Sequence, residues 1–263
     1  MANLSPNLNV MLRAAEKAAR SLSRDFGEVE NLQVSRKGPG DFVSAADKRA
    51  EQIIYDELLS ARPGFSFLME ESGEHKGTDG EHRFIIDPLD GTTNFLHGIP
   101  HWCISIGLEK QGEMIAGLIV DPIKNEVFHA EKGAGAFTGK RRLRVSARGD
   151  LSFAVICGGD CVRRTPEIRA SLIKGIEKVI SSTAGFRRSG SAALDLAYVA
   201  AGRYEGFWEN NLSPWDSAAG SIIVREAGGA LASLKGNANP VYAETILASN
   251  MALHNVLKDM LKS

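Results

Sequence analysis

The most informative segment of the sequence reads Asp87-Pro88-Leu89-Asp90-Gly91-Thr92-Thr93-Asn94-Phe95. It carries two carboxylates, those of Asp87 and Asp90, with the backbone carbonyl of Leu89 between them. Oxygens of these kinds are the ligands that Mg²⁺ prefers. Gly91 permits a tight turn, and the two threonines after it offer hydroxyls and amides that could hold a phosphate or a water. The segment therefore predicts a divalent-metal site. The alternative is an ordinary Asp-Gly turn followed by a helix cap.

The first half of the chain reads as a helix pair followed by an antiparallel sheet. Apolar residues at helical spacing predict helices over residues 7–26 and 44–61. An apolar run also predicts a strand over residues 82–87, which Pro88 ends because it has no amide hydrogen. Further strands are predicted at residues 65–69, 102–109, 114–121 and 126–130, and near 142–145 after the glycine-rich stretch 133–139.

After about residue 150 the predicted strands and helices alternate. The strands are expected at 153–157, 203–209, 230–234 and 245–249, and the helices at 166–182, 191–202, 215–227 and 250–262. This change predicts an N-terminal subdomain, residues 1–148, that carries most metal ligands, and a C-terminal α/β subdomain, residues 149–263, that completes the substrate pocket. The joint near 146–152 is not rich in proline or serine, so we expect one rigid unit.

Further acids fall at the ends of these predicted elements. Glu70 and Glu71 follow the 65–69 strand, Asp41 and Asp47 flank the start of the second helix, and Asp216 opens the helix at 215. Each acid alone is also typical of a solvated loop or a helix N-terminus. Carboxylates that are brought together repel one another and raise each other's pKa values. Their recurrence at element ends therefore favours a shared cation site.

Composition excludes several classes of protein. The 263 residues include 31 Lys and Arg against 32 Asp and Glu, a net charge of −1, so a strongly basic nucleic-acid binder is excluded. With 43% hydrophobic residues, the chain is not intrinsically disordered. No signal-peptide core or membrane-length apolar run occurs in the sequence, so we expect a cytoplasmic protein with no membrane partner.

The motifs resemble the inositol monophosphatase family. The resemblance rests on residues 87–95 together with Trp215-Asp216-Ser217-Ala218-Ala219-Gly220 and Glu226-Ala227-Gly228-Gly229, and it extends to Asp41–Asp47, Glu70-Glu71 and Gly190–Ala193. It covers essentially the whole chain. It implies a layered αβαβα sandwich of the α/β (or α+β) class, the fold of inositol monophosphatases and fructose-1,6-bisphosphatase-like sugar phosphatases. It also implies a Mg²⁺-dependent, lithium-sensitive phosphomonoesterase that forms a homodimer.

The resemblance assigns metal ligands and catalytic groups by position. Glu70, Asp87 and the Leu89 carbonyl would hold a first metal, and Asp87, Asp90 and Asp216 a second. Glu70 would also help to hold a third, looser metal through water, so two to three Mg²⁺ ions per subunit are implied. Thr92 and Glu70 would orient and deprotonate the attacking water, while Asp47 would support Thr92.

The resemblance also assigns the substrate contacts. The amides of Gly91 and Thr92 would bind phosphate oxygens. Lys37, in the loop of residues 36–40, would close over the metals. The residues that would face the alcohol are Asp90, Gly190, Ser191, Ala192, Glu209 and Asp216.

The expected substrate is a small phosphorylated polyol, an inositol monophosphate of the myo-inositol-1-phosphate type, hydrolysed to inositol and phosphate by metal-activated water. Fructose-1,6-bisphosphate, histidinol phosphate and 3′-phosphoadenosine 5′-phosphate are alternatives, because phosphatases of the same superfamily share the metal chemistry. Bacterial relatives also suggest a second, regulatory role through contact with RNA polymerase or a transcription factor. The bulk charge gives no support for direct nucleic-acid binding.

Overall fold

The structure of the chain is a computed structural model that describes residues 4–28, 34–38, 41–160, 166–236, 239–243 and 245–262. Its helices are α1 (Pro6–Phe26), α2 (Ala45–Ala61), α3 (Thr92–Leu96), α4 (Pro166–Ser182), α5 (Ala192–Ala200), α6 (Pro214–Glu226) and α7 (His254–Lys262). The strands of the first half are β1 (Val34–Gly38), β2 (Asp41–Ser44), β3 (Ser66–Met69), β4 (Gly73–His75), β5 (His82–Asp90), β6 (Cys103–Lys110), β7 (Glu113–Asp121), β8 (Glu126–Glu131), β9 (Gly135–Thr138) and β10 (Arg141–Arg142). The strands of the second half are β11 (Val155–Asp160), β12 (Gly185–Arg187), β13 (Gly206–Asn210), β14 (Ala230–Ala232) and β15 (Thr245–Ser249).

The elements form five layers, which confirms the expected αβαβα sandwich. Helices α1 and α2 pack against each other and on one face of an eight-stranded sheet of order β10-β9-β8-β7-β6-β5-β3-β4. Helices α5 and α6 lie between this sheet and a five-stranded sheet of order β12-β11-β13-β15-β14. Helices α4 and α7 cover the outer side of the second sheet.

Apolar side chains of β5 point alternately to the two faces of the large sheet, so the strand packs against a helix layer on each side. Phe84 and Ile86 are fully buried in the core beneath α1 and α2, whereas Ile85 is buried in the core beneath α5 and α6. Successive side chains of a strand point to opposite faces, so a strand that is covered on both sides reads as a continuous apolar run. Residues of both predicted subdomains contribute to the core between the sheets, for example Phe128 and Ile223.

Helix α6 lies unusually close to the large sheet because two strands offer glycine where it crosses. A Cβ atom on Gly107 would come within 2.9 Å of the Ala218 Cβ, and one on Gly117 within 2.6 Å of the Ala219 carbonyl oxygen. The helix backbone therefore rests almost directly on β6 and β7. This close approach brings the first turn of α6 to the end of the neighbouring strand β5.

The structure differs from the sequence predictions in several details. Strand β3 runs parallel to β5, so the large sheet is mixed rather than antiparallel. The glycine-rich stretch contains β9, and β10 ends at Arg142, where the sequence predicted a strand from 142 to 145. Helix α7 begins at His254 instead of residue 250. Residues 36–38, predicted to lie in a loop over residues 36–40, belong to strand β1.

The joint between the predicted subdomains is tied to the second sheet. Arg148 forms an ion pair of 2.7 Å with Glu205, which is 1% exposed, and the Asn250 side-chain amide donates to the Arg148 carbonyl at 2.8 Å. Within the described ranges, no helix has the length and apolar character needed to cross a membrane.

Candidate active site

Strand β5 ends in a bulge that turns two aspartates towards the same place. Asp87 pairs with Ser105 of β6, but Asp90 pairs with Cys103, so β5 contains one residue more than its partner in this interval. Pro88 lies inside the bulge, where its missing amide hydrogen leaves no donor unpaired. The Leu89 amide donates to the Asp87 carboxylate at 2.9 Å instead of to the sheet. Bulges re-aim side chains in this way. Both aspartates are buried, with 2% and 8% exposure.

A third carboxylate joins them from the first turn of α6. Ligand oxygens of Asp87, Asp90 and Asp216 all lie within 4.8 Å of one another. Asp216 is held by a capping box, in which the Ser213 amide donates to the Asp216 Oδ2 atom at 2.7 Å. Three residues that are up to 129 positions apart in the sequence therefore converge at one point.

The electrostatics of this cluster favour a cation. Burial raises the pKa of Asp87 well above its ordinary value, and the carboxyls of Glu70, Asp90 and Asp216 raise it further by repulsion. Glu70, which directly follows β3, also forms a hydrogen bond with the Asp87 carboxyl. A divalent cation would relieve this repulsion, and the oxygen-only donor set suits Mg²⁺. The residues present therefore fit the metal that the sequence predicted.

Thr92 and Asp47 lie together beside the cluster. The Thr92 hydroxyl is 3.1 Å both from the Asp47 carboxylate, in the first turn of α2, and from the Leu89 carbonyl oxygen. Asp47 is 1% exposed. Gly91, which precedes α3, has a φ of 97°, a conformation that favours glycine. A turn of this kind brings the threonine back towards the Leu89 carbonyl.

The segment before α5 contacts Asp90 directly. The Ser191 hydroxyl and the Ala193 amide donate to the Asp90 Oδ2 atom at 2.6 and 2.7 Å. Burial raises the pKa of Asp90, while these bonds and one from the Ala192 amide partly lower it. The carboxylate therefore occupies the N-terminus of α5, where helix amides favour negative charge. Ser191 was predicted to face the alcohol, and the structure places its hydroxyl on a predicted metal ligand.

Glu209 lies on β13, at the side of the cluster that faces the second sheet. Burial raises the pKa of Glu209 well above its ordinary value, repulsion from Asp195, Asp216 and Asp90 adds to the shift, and Arg188 lowers it. Gly190, with a φ of 85°, turns the chain into α5. The predicted alcohol-binding residues therefore come from β5, β13, α6, the start of α5 and the turn that precedes α5.

Comparison with known proteins identifies the family of this arrangement. The chain matches the inositol monophosphatase family over residues 3–262. The chain belongs to the inositol monophosphatase family. An inositol-1-monophosphatase of Rhizobium meliloti is 52% identical over 259 residues, 97% of this chain and 96% of that protein. A Nus factor SuhB of Escherichia coli is 41% identical, covering 94% of this chain and 92% of the other.

A solved structure of the same family has the same fold. The extragenic suppressor protein suhB from Bartonella henselae superposes with a TM-score of 0.94 at 53% identity, covering 98% of this chain and 99% of that one. The predicted family and its layered fold are therefore confirmed, and the chain is a phosphatase by family. The resemblance recognised in residues 87–95, 215–220 and 226–229 therefore extends over residues 3–262.

Sequence reasoning missed two buried polar residues near this site. Asn94, inside the first motif, bonds to two distant backbone carbonyls. Asp195 of α5 is 3% exposed, and burial raises its pKa to about 7. A single acid within the otherwise apolar run of residues 192–200 was the signal that could have identified Asp195. The side chain of Lys37 lies outside the described residues, so its closure over the metals stays a prediction.

Proposed function

We propose that this protein is a Mg²⁺-dependent phosphomonoesterase that hydrolyses an inositol monophosphate of the myo-inositol-1-phosphate type to inositol and phosphate. The observation that carries the proposal is the convergence of Asp87, Asp90 and Asp216 within 4.8 Å at the end of β5. The inositol-1-monophosphatase of Rhizobium meliloti, at 52% identity, supports the choice of substrate.

Two to three Mg²⁺ ions would be held by the clustered acids. Glu70, Asp87 and the Leu89 carbonyl would hold the first ion, and Asp87, Asp90 and Asp216 the second, with a looser third beside Glu70. Bound Mg²⁺ would supply charge neutralisation for the phosphate and the leaving oxygen, and it would lower the pKa of water. Without cations the clustered carboxylates would repel a phosphate, so metal binds before the substrate or together with it.

Thr92 is oriented to hold the attacking water. Its hydroxyl proton is directed to Asp47 or the Leu89 carbonyl, both 3.1 Å away, so its oxygen lone pairs remain available to accept a hydrogen bond from the attacking water. The Glu70 carboxylate takes the one proton that this water gives up and acts as the general base, while the other hydrogen stays bonded to the attacking oxygen. Asp47 stays out of contact with the substrate and fixes the rotamer of Thr92.

The two ends of the substrate meet different parts of the site. The amides of Gly91 and Thr92 bind phosphate oxygens at the start of α3. The alcohol lies towards Asp90, Gly190, Ser191, Ala192, Glu209 and Asp216, where the carboxylate of Glu209 accepts hydrogen bonds from hydroxyl groups. Attack and departure occur on opposite sides of phosphorus, as an in-line displacement requires. An acceptor-rich alcohol site suits a polyol, because several free hydroxyls can donate hydrogen bonds to it.

A substrate panel tests the proposal directly. Purified protein is assayed for phosphate release with Mg²⁺ on inositol-1-phosphate, fructose-1,6-bisphosphate, histidinol phosphate and 3′-phosphoadenosine 5′-phosphate. We expect inositol-1-phosphate to give the highest kcat/KM, chelation to abolish activity, and Li⁺ to inhibit at fixed Mg²⁺. A clear preference for one of the other three esters would contradict the proposed substrate and leave the metal chemistry intact.

A second role as a partner of the transcription machinery is favoured by one observation, the 41% identity to a protein named Nus factor SuhB. Co-purification of RNA polymerase or a transcription factor with the wild-type protein and with an inactive Asp90→Asn variant would test it. Equal capture by both proteins would establish a role independent of catalysis.

We also propose a homodimer, for which light scattering should give the mass of two chains.

A further inference from the structure

Asn94 joins two backbone segments that are distant in the sequence. Its Nδ2 atom donates to the His101 carbonyl oxygen at 2.7 Å and to the Ser189 carbonyl oxygen at 2.9 Å. Both amide protons are therefore used, and the side chain is 8% exposed. A side chain of this size that donates two hydrogen bonds from one atom must be an asparagine, because aspartate and leucine donate none.

The backbone is tightly packed around this amide. A Cβ atom on Gly190 would lie 3.1 Å from the Asn94 Nδ2 atom. One on Gly91 would lie 3.1 Å from the His101 carbonyl oxygen and 3.3 Å from the Gly190 carbonyl oxygen. The turn of the metal motif and the turn before α5 thus touch each other, and the Asn94 side chain lies at their contact.

The segment that Asn94 holds is the one that orients Asp90. Within four residues of Ser189, the Ser191 hydroxyl and the Ala193 amide both bond to the Asp90 Oδ2 atom, at 2.6 and 2.7 Å. Both bonds, and a longer one of 3.8 Å from the Cys103 thiol, use the Oδ2 atom, so they fix the direction of the carboxylate. Outer partners of a ligand fix its direction and often set the affinity of the metal.

We propose that Asn94 is a positioning residue that clamps residues 189–193 onto the metal motif and thereby sets the direction of the Asp90 carboxylate. The inference rests on the proposed metal centre, in which Asp90 is a ligand. Asn94 contacts neither metal nor substrate and acts through the Ser189 carbonyl. Because the Ser189 hydroxyl is also bonded to Asp195, losing the clamp displaces the segment without releasing it.

The test measures metal binding directly, so it does not depend on which phosphate ester is the substrate. Mn²⁺ is titrated into the metal-free protein and followed by calorimetry and by its electron paramagnetic resonance signal. We expect Asn94→Leu to weaken binding at one site by about tenfold, the scale of losing an outer partner of a ligand. Asn94→Ser, which keeps one donor in a smaller side chain, should fall between the wild type and Asn94→Leu.

Asn250→Leu is the matched control. Asn250 is also a buried asparagine, 1% exposed, whose amide donates to one remote carbonyl, that of Arg148, at 2.8 Å. This variant should lower the melting temperature yet leave Mn²⁺ affinity within about twofold, because an unpaired carbonyl costs stability only. If Asn94 had only a structural role, its variants would likewise lower the melting temperature and leave the Mn²⁺ affinity unchanged.

A double-mutant cycle identifies the route of the effect. If Asn94 acts through the segment that holds Asp90, Asn94→Leu and Ser191→Ala affect the same carboxylate, and the double variant binds Mn²⁺ more tightly than the product of the two single losses predicts. Independent, multiplicative losses would overturn the proposal, as would unchanged Mn²⁺ affinity in both Asn94 variants. If the wild-type protein binds no divalent metal, the proposed function fails together with the clamp. Mn²⁺ binding without activity on inositol-1-phosphate would overturn only the substrate.

Discussion

Burial and hydrogen bonding shift the pKa of the Asp90 carboxylate in opposite directions. Burial raises its pKa, while hydrogen bonds from Ser191, Ala193 and Ala192 lower it, and the neighbouring carboxyls of Asp87 and Asp216 lie within 4.8 Å. A structural aspartate would be stabilised by an ion pair in this position. Here the bonds from α5 hold the side chain in place among other acids, as a metal site requires.

Replacing Asp90 with asparagine should remove most of the turnover. The new side-chain amide oxygen can still accept the bonds from Ser191 and Ala193, so the fold is kept, but the ligand charge is lost. We expect kcat to fall by at least about 100-fold even at saturating Mg²⁺, the scale of losing one electrostatic contribution to the transition state. Asp121→Asn is the control, since Asp121 is fully buried and accepts the Ile123 and Lys124 amides but is not one of the three clustered carboxylates. Near-normal kcat in Asp90→Asn would reject the assignment.

Asp195 should make stability depend on pH. Burial raises its pKa from 3.8 to about 7, so the folded state retains a proton that the unfolded state releases between these values. In the wild-type protein the contribution of Asp195 to the free energy of unfolding therefore becomes less favourable as pH rises from about 4 to 7. Metal-free Asp195→Asn should match the wild type near pH 4 and exceed its free energy of unfolding by up to about 4 kcal/mol at pH 8. Denaturant titrations at both pH values measure this, and an equal difference at both would contradict the assignment.

At the scale of elements, the contact between α6 and the large sheet places Asp216. Gly117 has no room for a side chain, because an added Cβ would lie 2.6 Å from both the Ala219 carbonyl oxygen and the Ile222 Cγ2 atom. Gly117→Ala should therefore push the helix outward, lower the free energy of unfolding by about 1–3 kcal/mol, and weaken Mn²⁺ binding. Gly149→Ala, whose Cβ would lie 3.6 Å from that of Ala252, should change neither quantity. A stable Gly117→Ala variant with normal affinity would show that α6 is not held by this contact.

The longer elements could be predicted from the sequence because their patterns are local. Helix α1 was predicted to within one residue, since its apolar face repeats regularly, and β5 was located by its apolar run. The predicted end of β5 at Pro88 was wrong, because the strand forms a bulge there and continues to Asp90. The short edge strands β4 and β12 and the five-residue helix α3 were missed. Each is too short to show a period, and β4 and β12 depend on pairing with one neighbouring strand.

The site was predictable in its acids but not in its supporting contacts. Asp87, Asp90 and Asp216 were found because acids recur at the ends of several predicted elements and because the surrounding motifs resemble those of the family, and the structure brings the three together. Asn94 and Asp195 were not found, because their role depends on partners about 100 and 40 residues away, such as Ser189 for Asn94 and Cys157 for Asp195. Sequence spacing carries no information about such partners, which only the packed layers bring together.

At the scale of the whole molecule, a chain with a net charge of −1 brings three of its 32 acids together where the end of β5 meets the first turn of α6. That concentration should destabilise the metal-free protein. Burial and repulsion raise the pKa of Asp87, so its unfavourable contribution is absent below about pH 4 and grows as pH rises from there towards the folded-state value.

Mg²⁺ should therefore raise the melting temperature at neutral pH, by mass action on the folded state. Asp87→Asn should be more stable than the wild type in chelator and should lose most of the Mg²⁺-induced shift. Differential scanning calorimetry of both proteins, with and without Mg²⁺, measures these effects. A wild-type melting temperature that does not respond to Mg²⁺ would contradict the electrostatic account.

The location of bound metal tests the central claim most directly. Crystals grown with Mn²⁺ and inorganic phosphate should give anomalous difference peaks between Glu70, Asp87, Asp90 and Asp216, with the phosphate next to Thr92. Data collected on both sides of the manganese absorption edge identify the metal at each peak. Peaks at those carboxylates are the predicted result. Manganese bound only elsewhere, or no bound manganese at a saturating concentration, would contradict the account.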